Sequence, residues 1–258
     1  MSIVYLHLLK RDMPTKRILA TSGGFVPGPV QRSARLGTML FDALSSTGKT
    51  RPRVCLVLTA TGDDASYYAL LYEAFNAAGC DVTELKLFTQ PSADPEERLV
   101  GSDLVWVGGG SVANLLTLWD LHHVGVAMRA AWESGTIMSG VSAGSLCWHV
   151  GGTTDSFGPI LQAVTNGLAL VPYGNGVHYD SEAQRRPLLH ELVANQTLPS
   201  LCFATDDHVG IWYDDLEPTR VVADSEVDAA TGPGAYKVEF VNGAVVETRF
   251  GVGSRLSD

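Results

Sequence analysis

Between Lys16 and Ser142 the chain alternates short apolar runs with stretches of helical spacing, and this alternation narrows the folds open to it more than any other feature. Arg17–Thr21, Val54–Thr59, Asp81–Leu87, Leu104–Val107 and Thr136–Met138 read as strands. Gln31–Leu44, Ala65–Ala78, Val112–Leu118 and Val126–Glu133 carry the helical period between them. Strands joined through helices run parallel, and a parallel sheet needs cover on both faces. The expected fold class is therefore α/β, a doubly wound, mostly parallel sheet flanked by helices. After Gly151-Gly152 the alternation falters. Thr153–Pro159 and Val171–Gly176 are turn-rich and are expected to shape a pocket, and a helix is expected from about Pro187. Leu201–Thr205 reads as a strand with Gly210–Tyr213 as its antiparallel neighbour. Tyr236–Val241 and Ala244–Phe250 flank Asn242-Gly243, a strong hairpin signal, so the chain should end in a β-hairpin. With no repeat, low-complexity tract or linker in view, residues 16–258 are expected to form a single domain. Residues 1–15 are read as an N-terminal extension without functional weight.

Composition bears on partners more than on fold. A net charge of −10 disfavours a nucleic-acid backbone or an anionic membrane as the main partner. No apolar run approaches the roughly 20 residues that span a bilayer. Ile3–Leu9 is a poor secretory signal, because it is interrupted by His7 and its basic pair Lys10-Arg11 follows rather than precedes it. A cytoplasmic protein is expected. The four cysteines, Cys55, Cys80, Cys147 and Cys202, are scattered singly and suggest buried reduced thiols. Gly23-Gly24 follows a strand but lacks the further glycines or the Lys-Ser/Thr ending of a nucleotide loop. A homodimer is compatible with all of this.

The chemistry centres on Gly140, Ser142 and Gly144, a Gly-x-Ser-x-Gly pattern between an apolar run and a helix-like run. In a nucleophile elbow of this kind the flanking glycines let a serine sit on a sharp strand-to-helix turn with its hydroxyl exposed. The Ala143 amide, at the helix start, is then placed to donate to a developing oxyanion. Gly108-Gly109-Gly110 at the end of another strand offers a second donor from Gly109 or Gly110. A serine needs a base, and a base needs an acid behind it. Of the seven histidines, His178 lies in an irregular polar loop, with His208 as competitor. His122, His123, His149 and His190 fall in helical stretches, and the adjacent His122-His123 pair lacks the spacing of metal ligands. Asp207, Asp206 and Asp155 are the candidate acids. Spacing does not decide among them.

Gly140-Val141-Ser142-Ala143-Gly144-Ser145, the Gly108–Gly110 turn with Asn114 beyond it, Thr153-Thr154-Asp155, His178-Tyr179-Asp180 and Asp206-Asp207 together resemble the peptidase E family of serine peptidases, the aspartyl dipeptidases and their cyanophycinase relatives. The resemblance runs from about Lys16 to the final hairpin. It implies a fold like class I glutamine amidotransferases, with Ser142 as nucleophile and His178 as base. The third member would be Asp207, where the family often has the longer glutamate, or Asp155. No metal or organic cofactor is implied. Family members cleave short peptides after an N-terminal aspartate, and Arg185 or Arg186 would supply the cation for that side chain through a bidentate contact. Three alternatives remain open: a cyanophycinase-like enzyme acting on β-linked aspartyl chains, another acyl hydrolase, and a noncatalytic binding module on the same scaffold. An amidotransferase fits poorly, because Ser142 holds the elbow and Cys147 lies a helical turn beyond it.

Overall fold

The computed structural model of the protein describes residues 14–256, and the Met1 to Asp12 stretch of the expected extension lies outside them. The first strand, β1 (Arg17–Thr21), is followed by a small hairpin of β2 (Phe25–Pro27) and β3 (Ala34–Leu36). Then come β4 (Arg53–Val57), β5 (Asp81–Glu84), β6 (Leu104–Val107) and β7 (Ile137–Val141). β1, β7, β6, β4 and β5 lie side by side and parallel, in that order. Helices Thr38–Ser46, Ala65–Ala77, Pro95–Val100, Val112–Leu121 and Val124–Glu133 connect them.

Both faces of these strands are apolar. Ile18, Val57, Val107 and Met138 pack on one side with Leu115, Trp119 and Met128, while Leu19, Leu56, Trp106 and Ile137 pack on the other with Leu40, Leu71 and Phe75. This is the doubly wound arrangement that continuous apolar runs require. Helix Ala65–Ala77 is capped by Asp64, whose carboxylate accepts the Tyr67 amide. Asp94 caps Pro95–Val100 in the same way, with Pro95, Glu96 and Glu97 in the first turn. That short helix is absent from the periodicity because it spans barely two turns.

The second half of the chain adds β8 (Gly151–Thr154), β9 (Gln162–Val164), β10 (Gly174–Gly176), β11 (Leu201–Thr205), β12 (Val209–Asp214), β13 (Glu217–Ala223), β14 (Gly234–Val241) and β15 (Ala244–Gly251), with helix Arg185–Ala194 between β10 and β11. β12 and β13 extend the first sheet antiparallel beyond β1, and the others form a second sheet in the order β15-β14-β11-β10-β8-β9. The apolar cluster over one face of the first sheet continues through Trp148, Phe203 and Ala235 into the second.

Three expectations are corrected. Gln31–Leu44 is helical only from Thr38, because residues 25–36 pair as β2 and β3 and Gly37 packs against the Asp224 carboxylate, where a side chain would collide. Gly210–Tyr213 pairs with β1 and β13 rather than with β11. The turn-rich tracts after Gly151 hold the end of β8 and the whole of β10, with β9 between them; the β8 glycines lie against the Val164 and Asn175 backbone and the β10 glycines against the Cys202 and Ala204 side chains, so neither strand carries an apolar period. Among the described residues no helix is long and apolar enough to cross a membrane.

Candidate active site

β7 delivers Val141 to the carboxyl edge of the sheet, and Ser142 then turns with φ 56° and ψ −111° into helix Ala143–Leu146. A non-glycine residue in such a region costs on the order of 1–3 kcal/mol and persists only where its surroundings fix it. They do so here. The Ser142 carbonyl accepts the Ser145 and Leu146 amides, each at 2.9 Å, and its own N–H donates to the Thr21 carbonyl at 3.1 Å. A Cβ on Gly140 or Gly144 would run into backbone, the Val107 carbonyl in particular, so β6 can approach the elbow only because both are glycine. The Ala143 N–H, in the first helical turn, has no intrahelical acceptor.

The Gly108–Gly110 loop lies directly against this turn. A Cβ on Gly109 would sit 3.3 Å from Cβ of Ser142, and one on Gly110, at φ 129°, would sit 2.5 Å from the Ala60 carbonyl oxygen. The Gly108 amide donates to Val57 and that of Ser111 to Ala60, so the loop is pinned on either side of the Gly109 and Gly110 amides. Tyr67 packs against Gly108 from helix Ala65–Ala77. Burial pushes its phenol above the usual range, opposed by the N–H of Gly109. Tyr67 belongs to no motif, and nothing in the sequence marks it.

His178 follows β10 and adopts φ 53°. Its backbone N–H donates to Oγ of Ser22 at 3.1 Å, so the consecutive residues Thr21 and Ser22 hold the backbones of Ser142 and His178. The His178 imidazole meets Oδ1 of Asp207 through Nδ1 at 2.6 Å. With that nitrogen engaged, Nε2 is the one left to exchange a proton with a substrate-side group. Asp207 is itself placed by its N–H, which donates to Asp180 at 2.9 Å. Burial pushes its carboxyl up, but hydrogen bonds from His178 and Ser181 and the nearby charges of His178 and His208 outweigh this and leave it below the ordinary range.

The other candidates stand elsewhere. Asp206 is buried, accepts the Gly234 amide and the Tyr236 hydroxyl at 2.9 and 3.1 Å, and is raised by burial despite both. Asp155 is 63% exposed, with its carboxylate 4.0 Å from Arg185. His208 pairs with the buried Asp224 at 3.3 Å. Arg185 and Arg186, expected to meet a substrate carboxylate, are both engaged within the protein. Arg185 is buried, donating to the Thr153 carbonyl and to Glu182. Arg186 pairs with Glu247 at 2.8 Å and lies over the rings of Tyr179 and Tyr236. His149 is buried beneath the elbow, with Nδ1 2.9 Å from the Ser145 carbonyl oxygen and Nε2 3.2 Å from the Tyr213 hydroxyl. Cys147 is fully buried, and burial pushes its thiol well above the ordinary range, so it is no substitute nucleophile.

Residues 18–220 match the family described as Peptidase family S51. The chain is 34% identical over 206 residues to the uncharacterized peptidase YgaJ of Bacillus subtilis strain 168, covering 79% of this chain and 85% of that protein. Among solved structures, a peptidase from an acI-B1 actinobacterium superposes with a TM-score of 0.67 at 13% identity, over 95% of this chain and 97% of that one. A putative peptidase E protein from Listeria monocytogenes EGD-e gives 0.57 at 17% identity, over 82% and 100%. At these identities the two structures speak for the fold, which is that of peptidase E.

Proposed function

The chain belongs to peptidase family S51 and is a peptidase, and we propose that it hydrolyses short peptides through an acyl-enzyme on Ser142. The observation that carries this reading is the His178–Asp207 hydrogen bond of 2.6 Å, anchored through Ser22 beside the strained Ser142 elbow. Oγ of Ser142 attacks the peptide carbonyl while Nε2 of His178 takes its proton, and Asp207 holds the imidazole in orientation as it becomes charged. The N–H of Ala143, with that of Gly109 or Gly110, stabilises the oxyanion. His178 then protonates the departing amine. In the second half of the cycle it draws a proton from water, which releases the acyl group and regenerates Ser142.

Dipeptides with an N-terminal aspartate are the first substrates on this reading. A second reading, a wider choice of N-terminal residue, is favoured by the engagement of Arg185 and Arg186 within the fold, where each guanidinium already pairs with a carboxylate of the protein, Glu182 and Glu247. Rates on Asp-Xaa, Ala-Xaa and β-aspartyl dipeptides, for the wild type and for folded Ser142→Ala and Asp207→Asn, test both. Activity should vanish in Ser142→Ala and fall roughly 10²–10⁴-fold in Asp207→Asn. Retention of activity by folded Ser142→Ala would sink the serine mechanism. A strict Asp-Xaa preference would remove the second reading.

A further inference from the structure

The three glycines beside Ser142 rest on one stretch of chain, residues 58–67, which leaves the end of β4 and enters helix Ala65–Ala77. A Cβ on Gly108 would meet Cδ2 of Leu58 at 2.7 Å and the Tyr67 ring at 3.1 Å, and one on Gly110 would meet the Ala60 carbonyl oxygen and the Thr61 methyl. Gly109 alone faces Ser142. Three glycines in a row have no side chains with which to hold their own peptide planes. Whatever fixes those planes from outside decides which donors the nucleophile sees.

Tyr67 is mounted for that task. Its N–H donates at 2.7 Å to Oδ1 of Asp64, the cap of its helix, and Asp63, at φ 57°, accepts the Leu87 and Phe88 amides at 2.6 and 2.9 Å. The half-buried side chain runs beside Gly108, and its oxygen meets two N–H donors, the Gly109 amide and the Trp106 indole. That indole is buried and has no other acceptor among the described residues. The amides of the loop can then be accounted for one by one. Gly108 donates to Val57, Gly109 faces the phenol oxygen, and Ser111 donates to Ala60. Among the described residues, only the Gly110 N–H is left without a protein acceptor.

We propose that Tyr67 is a positioning residue of the oxyanion hole: its phenol oxygen accepts the Gly109 N–H, fixes the peptide between Gly108 and Gly109, and leaves the Gly110 N–H as the loop's donor to the oxyanion. The proposal rests on Ser142 acting as nucleophile. Such a donor works only when aimed at the point where charge develops, and a misplacement of about 1 Å costs roughly 10²-fold in rate. Without the phenol oxygen, the glycine loop loses the one side-chain acceptor that holds its aim.

The test uses the full chain with Tyr67→Phe, which keeps the ring against Gly108 and removes only the oxygen. Two reactions are followed at a temperature where circular dichroism shows wild type and variant folded: hydrolysis of the dipeptide that the wild type cleaves fastest, and labelling by diisopropyl fluorophosphate. In the second, Oγ of Ser142 bonds to phosphorus, its proton passes to His178, the P–F bond breaks and fluoride leaves, with the phosphoryl oxygen in the oxyanion hole. Tyr67→Phe should lower kcat and the labelling rate by a similar factor, roughly 10–100-fold, while KM stays within about twofold. A merely structural tyrosine predicts a lower Tm with both rates unchanged. If Ser142 of the wild type is labelled and Tyr67→Phe is not slowed, the role of Tyr67 is overturned and the serine mechanism stands. A loss confined to KM, or to hydrolysis alone, overturns it in the same way. A wild type whose Ser142 the reagent fails to label removes the serine reading itself, and the assignment of Tyr67 falls with it.

Discussion

Asp206 and Asp207 are neighbours at the end of one strand and live in opposite environments. Asp206 turns inward to Gly234 and Tyr236, where burial raises it, while Asp207 turns outward to His178, whose hydrogen bond outweighs burial and lowers it. Sequence alone leaves Asp206, Asp207 and Asp155 equivalent, because strand alternation says that two adjacent residues face opposite ways without saying which faces the histidine. His149 is the third residue whose environment decides its chemistry. Burial lowers it to about 4, with the Ser145 carbonyl opposing, and Asn175 and Tyr213 complete its surroundings. An unfolded histidine has a pKa of about 6.5. As pH falls below that value the unfolded chain binds a proton that the folded one refuses, so stability is lost between about pH 6.5 and 4, by about 3 kcal/mol in all. Chemical denaturation at pH 7.5 and 4.5 checks this. The loss between the two pH values should be about 2.5 kcal/mol smaller in His149→Gln than in the wild type, since pH 4.5 stops short of the folded value. The raised Asp206 and Asp224 push the other way, but they do so in both proteins and cancel in the difference. An identical pH dependence for wild type and variant would mean that His149 titrates normally in the folded state.

At the level of elements, the elbow is the part of the site most fully written in the sequence. Its glycines are demanded by contact: β6 passes so close to helix Ala143–Leu146 that the Val107 carbonyl occupies the space a Cβ on Gly144 would need. Gly144→Ala should therefore displace β6 or the elbow, at a cost of about 3 kcal/mol or more. For a chain of this size that is a fall in Tm of roughly 6–12 °C, with near-complete loss of peptidase activity. Differential scanning calorimetry beside an activity assay checks it, and a variant of unchanged Tm and rate would show that the elbow has slack. The same logic explains what was illegible. Gly37 ends the β2–β3 hairpin and starts a helix because a carboxylate from residue 224 packs on it, a contact between positions far apart in the chain. Likewise β12 has the pattern of a partner for β11, yet it lies beside β1. Periodicity identifies a strand and its buried face, while the choice of neighbour is made by packing that no local window contains. The Asn242-Gly243 hairpin was readable because its determinants are local, with both turn residues at positive φ.

For the molecule as a whole, the candidate site lies across a seam. Ser142 and the Gly108–Gly110 loop come from the parallel sheet, whereas His178 and Asp207 follow β10 and β11 of the second sheet. Nothing in the order of residues announces that the two sheets meet here, and the residue that joins them, Ser22, reads in the sequence as part of a turn. Its Oγ accepts the His178 amide at 3.1 Å and lies 2.7 Å from the Thr205 hydroxyl, its N–H donates to Val209, and its carbonyl accepts the His208 amide. Thr21, one residue earlier, holds Ser142. Ser22 is thus a positioning residue whose loss leaves the buried Thr205 hydroxyl and the His178 amide without their partner. Ser22→Ala should cost about 1–3 kcal/mol of stability. Because it loosens His178 without touching substrate, it should lower kcat roughly 10–100-fold while KM stays within about twofold. Restoring the hydroxyl with Ser22→Thr should recover part of the rate. A purely structural serine predicts something else: the same loss of stability, with kcat unchanged at a temperature where the variant is fully folded. Steady-state kinetics of the three proteins at such a temperature decide whether the seam is held in catalytic register by this one hydroxyl.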